Sequence, residues 1–186
     1  RHLLTKIVVV TKTHSIDSID PLLVTGHRIF GENRVQEARA KWSVLRRRYP
    51  DVRLHMIGPL QINKVRMAVS LFDVIETLDR PQLAAVLAQE MQRQTRWPDC
   101  LIQVNTGNEP QKTGVRPIDA DLFIQQCRFE WQLPIRGLMC IPPFDDEPAS
   151  HFELLREIAH RHNLEVLSMG MSHDFAVAIR LGATHV

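Results

Sequence analysis

Two short stretches of this chain hold residues whose type and placing suit chemistry. The first is Lys6-Ile7-Val8-Val9-Val10-Thr11-Lys12-Thr13, a run of strand-forming apolar residues that ends in a lysine. A continuous apolar run of this kind suits a parallel strand covered on both faces. Desolvation at such a strand end favours the neutral amine, which is the form that condenses with a carbonyl compound to a Schiff base. The plainer reading of Lys12 is a stem laid on apolar surface with its head in water. The second stretch is Ser168-Met169-Gly170-Met171-Ser172, two hydroxyls about a glycine directly before an expected helix. Hydroxyls, backbone N–H groups and a helix dipole together suit an anion, phosphate above all. Simple helix capping by Ser172 or Asp174 is the alternative.

Positioning these stretches is the work of an alternation that runs through the whole sequence. Short apolar runs at 6–13, 28–33, 54–58, 73–78, 100–105, 135–140 and 165–169 read as strands. Amphipathic segments at about 15–24, 35–48, 63–71, 81–91, 119–129, around 152–158 and at 174–181 read as helices, and 183–186 as an eighth strand. Pro81 suits a first helical turn, and Pro50 and Gly26 suit helix ends. The expected fold is therefore a single α/β domain over 1–186, a (β/α)₈ TIM-type barrel whose C-terminal end is truncated. No Gly-rich loop follows the first strand, which disfavours a doubly wound dinucleotide-binding sheet. In barrels the chemistry sits at the C-terminal strand ends. Lys12, Asn33, Gly58-Pro59, Asp79, Asn105, Pro142-Pro143 and the 168–172 loop all fall on that rim. An amine and an anion site in one mouth suit a ligand with both an aldehyde and a phosphate, and pyridoxal 5′-phosphate (PLP) is the simplest.

Composition narrows the classes. Among 186 residues 44% are hydrophobic and 24% charged, as in an ordinary globular domain. A formal net charge of +2 argues against nucleic acid as a partner. Arg46-Arg47-Arg48, the longest block of like charge, falls at a helix end, where cations complement the dipole. Cys100, Cys127 and Cys140 are widely spaced, and the nine histidines include no H-E-x-x-H, so no disulfide framework and no metal is expected. Without a membrane-length apolar run or a signal pattern, the expected location is the cytoplasm, away from membranes. Beginning with Arg1 and not Met, the N-terminus reads as processed or trimmed. The expected assembly is a monomer or weak dimer.

Several ordered motifs then acquire a common meaning. Val10-Thr11-Lys12-Thr13, Phe30-Gly31-Glu32-Asn33-Arg34-Val35-Gln36-Glu37 and His55-Met56-Ile57-Gly58-Pro59-Leu60-Gln61-Ile62-Asn63-Lys64 occur in order. They are followed by Gln103-Val104-Asn105, Lys112-Thr113-Gly114, Gly137-Leu138-Met139 and Leu167-Ser168-Met169-Gly170-Met171-Ser172. Together these motifs, spanning essentially the whole chain, closely resemble the PLP homeostasis protein family, whose fold is a barrel like the N-terminal domain of alanine racemase. The resemblance implies a cytoplasmic protein that helps control vitamin B6 pools, with recipient PLP enzymes as candidate partners and no robust turnover. It implies that Lys12 holds PLP as an aldimine, that Ser168, Met169, Gly170 and Ser172 hold its phosphate, and that Asn33 and His55 lie near it. The sequence has Thr11 and Ala183 where serine is common, and Arg34 where tyrosine is common. In the family an arginine facing the pyridine nitrogen and a Gly-containing phosphate loop come after the eighth strand. Both would lie beyond Val186; a protein that truly lacks them is expected to bind the cofactor weakly and to have a barrel without its last helix.

Two enzymatic readings stand beside the carrier. Racemisation on PLP needs a second acid/base opposite the lysine. In racemases of the resembled fold that group is a tyrosine from an additional domain, whereas Tyr49, the one tyrosine here, is expected at the opposite barrel face. Cys140 or His55 are the remaining candidates. An aldolase-type barrel with a Lys12 Schiff base and a phosphorylated sugar substrate explains the same two stretches. Lys112, in a polar loop, reads as solvated charge or as a secondary amine for free cofactor aldehyde.

Overall fold

The structure, a computed structural model, describes residues 4–186. In chain order it runs β1 (Val9–Val10), α1 (Ile16–Val24), β2 (Ile29–Glu32), α2 (Val35–Arg48) and β3 (Arg53–Met56). A 3₁₀ turn at Ile62–Lys64 leads into α3 (Val65–Leu71), followed by β4 (Val74–Leu78), α4 (Pro81–Gln94) and β5 (Asp99–Gln103). Next come α5 (Pro117–Gln125), which passes into a π-helical turn at Gln126–Glu130, then β6 (Ile135–Met139), α6 (Pro148–Arg161), β7 (Val166–Ser168) and α7 (Phe175–Arg180).

The seven strands form one sheet in sequence order, and every neighbouring pair is parallel. Residues 184–186 lie between its two edges. The Lys6 and Val8 amides donate to the carbonyls of Thr184 and Val186, and the Met169 amide donates to that of His185. With parallel bridges from His185 to both Lys6 and Ser168, the ring of strands closes through an eighth position. Closure removes the unpaired sheet edges that would otherwise invite association.

Helices bury their apolar stripes against the outside of this ring. Ala38, Trp42 and Leu45 do so on α2, and Leu83, Ala84, Leu87 and Met91 on α4, all fully buried. Gly137 in β6 is required by close packing, since a Cβ there would stand 1.9 Å from the Val166 carbonyl oxygen. Among the described residues no helix is long and apolar enough to cross a membrane.

The first strand departs from expectation, because Ile7 is 60% and Val10 43% exposed. Val10 lines a cavity open to solvent, and Ile7 is not packed into the apolar core. Its apolar run reflects strand propensity and ring closure more than two-sided burial.

Candidate functional site

Period-two alternation along the strands decides what enters the barrel. On the first strand Val8, Val10 and Lys12 share one side, and all three line a cavity of ≈ 180 Å³ at the C-terminal mouth. Asn33, Glu76, Ser168 and Gly170 line it as well, together with Met169 and Cys140. One cavity thus joins an amine from the start of the chain to a hydroxyl and a glycine from its other end. Lys12 is exposed there, so the desolvation expected of its place after an apolar strand is absent. An entering carbonyl compound meets it directly.

Beneath Lys12 the backbone is held tightly. Thr11 is buried, and its hydroxyl donates to Glu32 Oε1 at 2.7 Å. Thr13 takes φ = 64°, a left-handed conformation unusual for a β-branched residue.

The loop after β7 is shaped by Gly170, whose φ is 99° and whose missing Cβ would lie 2.6 Å from Ala178 Cβ on α7. Only glycine combines that dihedral with that approach. Of the loop amides, Met169 donates to the His185 carbonyl and Met171 to Asp174 Oδ1 at 2.5 Å. The amides of Gly170 and Ser172 have no acceptor among the described residues and are free for an anion. Asp174, buried at the head of the six-residue α7, thus braces the loop.

Glu76 is the site residue that sequence reasoning passed over. It is buried in the middle of β4, reaches the cavity, and links three elements. Its Oε1 lies 2.5 Å from His55 Nδ1 on β3, and its Oε2 accepts the Ser168 hydroxyl at 2.5 Å. The available signal was one carboxylate in the apolar run Val74-Ile75-Glu76-Thr77-Leu78. Such a residue belongs inside a barrel when a partner waits there.

Among the sequence candidates, Lys12, Asn33, Ser168, Met169 and Gly170 come together at this cavity, whereas His55 and Ser172 do not line it. His55 is one layer deeper and joins the site through Glu76. Below it, the His185 ring centroid is 5.7 Å away. Burial, and then the neighbouring His55, push the His185 pKa down to about 4. Ser172 is exposed on the outer part of the loop. Lys112 pairs with Glu109 at 2.7 Å and lies 3.5 Å from the Pro142 carbonyl, near the rim. Tyr49 is remote, bonded through its hydroxyl to Asp20 at 3.3 Å with Arg28 and Arg48 over its ring. Burial raises the Cys140 thiol to about 12, which keeps it protonated.

A larger cavity of ≈ 450 Å³ lies at the opposite, N-terminal face, lined among others by Lys6, Arg53, His55, Arg136 and His185. Two of its cations, Arg53 and Arg136, are already paired with Asp99. Barrels place stability determinants at that face and chemistry at the other. The smaller mouth cavity, with its free amine and the free Gly170 amide, is the functional candidate.

Comparison with known proteins agrees. The model of the alanine racemase N-terminal domain family matches residues 1–186. The chain is 34% identical to the pyridoxal phosphate homeostasis protein of Pasteurella multocida (strain Pm70), over 97% of this chain and 82% of that protein. It is 37% identical to the protein of the same name from Aquifex aeolicus (strain VF5), again over 97% and 82%. Among solved structures it superposes with a TM-score of 0.88 on PipY of Synechococcus elongatus PCC7942 with PLP bound, at 36% identity, covering 97% of this chain and 88% of that one. With the closed parallel barrel already described, these likenesses are decisive: the chain belongs to the pyridoxal phosphate homeostasis proteins, a branch of the alanine racemase N-terminal domain family.

Proposed function

We propose that this protein binds PLP in its mouth cavity and holds it for vitamin B6 homeostasis, without sustained turnover of a substrate. One observation carries the reading. A single cavity holds both the Lys12 amine and Gly170, whose amide is free, so an aldehyde and a phosphate can be met at once. The residues present fit the cofactor on that ground. When bound, PLP supplies an aldehyde that condenses with a lysine amine, and an electron-withdrawing ring. Lys12 would be the covalent anchor, and the free Gly170 amide, with the rest of the 168–172 loop, would hold the phosphate. Asn33, which lines the same cavity, would lie beside the bound group. Glu76 holds the Ser168 hydroxyl and fixes His55 beneath the floor.

The same reading assigns recipient PLP enzymes as partners. Three buried, unpaired thiols suit a reducing compartment, and we place the protein in the cytoplasm. A racemase reading has less support, since Tyr49 faces away from the cavity and Cys140 is held as a thiol.

The test is the visible spectrum of the purified protein with and without added PLP, followed by borohydride and peptide mass mapping. The expected result is a band that borohydride abolishes, a pyridoxyl group on Lys12, and no amino-acid turnover. A fold-competent Lys12→Ala variant should show no such band. A colourless protein that nevertheless cleaves a phosphorylated sugar would replace this reading with the aldolase one.

A further inference from the structure

We infer that Glu37 and Lys41, both on α2, are positioning residues for Lys12, clamping the peptide groups on either side of it so that its amine is aimed into the cavity. The inference rests on the reading of Lys12 as the aldehyde-capturing group and says what makes that capture efficient.

The spacing of four puts Glu37 and Lys41 on one side of α2, facing the end of the first strand. Lys41 is only 7% exposed. Its ammonium donates to the Thr11 carbonyl at 2.7 Å and to Glu37 Oε1 at 2.9 Å, and lies 2.8 Å from Glu32 Oε1. All three of its donor directions are therefore used. Glu37 Oε1 also accepts the Thr13 amide at 2.6 Å. Glu32 Oε1 in turn accepts the Thr11 hydroxyl and, at 2.9 Å, the Trp42 indole N–H. The residue before Lys12 and the residue after it are thus both tied to α2. The Lys12 ammonium has no hydrogen-bond partner among the described residues. A fixed backbone carrying a free amine is the arrangement that capture requires.

Stability alone accounts poorly for this network. A buried ion pair is often replaceable by apolar side chains without loss, so it is a weak device for holding a fold. The pair instead coincides with a left-handed Thr13, a conformation that persists only where surrounding contacts impose it and that clusters at ligand sites. The bond from Lys41, and then that from the Thr13 amide, keeps the Glu37 carboxyl below its usual range, so the clamp is charged at neutral pH.

The experiment uses Glu37→Ala, Glu37→Gln and Lys41→Met in the whole chain, each checked for native circular dichroism and cooperative melting. Two ligands separate aim from binding. PLP capture is followed by stopped-flow absorbance and borohydride mapping at Lys12. Pyridoxamine 5′-phosphate, which has the same ring and phosphate but no aldehyde, is titrated by calorimetry. Glu37→Ala should slow capture about tenfold or more, because small misplacements of a reacting group are costly, while pyridoxamine 5′-phosphate affinity stays within about twofold. Glu37→Gln, which keeps an oxygen for the Thr13 amide, should recover part of the rate, and Lys41→Met should behave like Glu37→Ala if folded. A folded Glu37→Ala that captures PLP at the wild-type rate would overturn the inference. So would parallel losses for both ligands, which indicate a generally loosened site. Wild-type protein that takes up no PLP at Lys12 overturns the functional reading itself, and this inference with it.

Discussion

Glu76 shows how one side chain can organise a barrel interior. A charged group with both oxygens bonded inside is stable only while both partners remain. Replacing it by alanine leaves His55 and Ser168 unpaired and should cost about 2–4 kcal/mol, read as a lower urea midpoint at unchanged slope. His185 contributes a pH dependence of definite sign. Its folded pKa of about 4 is below the ordinary histidine value, so the unfolded chain binds the proton more readily. Its stability contribution is complete above pH ~6.5, falls as the pH drops toward 4, and amounts to roughly 1–2 kcal/mol after allowance for partial exposure. Urea titrations between pH 4 and 7 should show this loss, and His185→Gln should flatten it. The three thiols are similarly quiet. Burial raises Cys127 and Cys140 to about 12 and Cys100 higher still, so none should react with a thiol reagent until the protein unfolds.

Much at the level of elements was legible from pattern. The helix expected over 35–48 is α2 at Val35–Arg48, since a clean apolar stripe, a basic last turn and Pro50 agree on its limits. The helix expected over 119–129 begins earlier, at Pro117, and its last turn, Gln126–Glu130, is π-helical, a local widening that periodicity does not encode. The interior polar links were hidden for a different reason. Nothing in the sequence singles out Lys41, or Glu37 beyond its motif, and Glu76 is a lone charge in a strand, because the partners that matter are distant in sequence. Gly58 illustrates what loops demand of one another: a Cβ there would come within 2.3 Å of the Asn33 carbonyl oxygen. Gly58→Ala should therefore cost about 1–3 kcal/mol by overpacking, displace Asn33 and weaken PLP uptake. Melting and PLP titration measure the two effects separately.

As a whole molecule, the protein presents a barrel whose architecture follows from strand–helix alternation without a Gly-rich first loop, and whose ligand follows from an amine, an anion loop and the motifs that contain them. Neither composition nor charge would have found the cavity, which exists only after the strands are arranged in a ring. If PLP binds the native state alone, its free energy adds to stability. At a hundred times its dissociation constant PLP should add about 2.7 kcal/mol, which for a domain of this size raises Tm by roughly 5–10 °C. Scanning calorimetry should record that shift for the wild type, and a much smaller one for Lys12→Ala.

The closure of the ring has a consequence for biosynthesis. Thr5 donates to Ala183 across a sequence separation of 178 positions, and Lys12 and Gly170 come from nearly as far apart. A ribosome-bound chain that has emerged only as far as α6 would own the amine but lack the phosphate loop facing it. Vitamin capture would begin only once the phosphate loop and the strand position after it have joined the ring, so the yellow colour of bound PLP would report a closed barrel rather than mere expression.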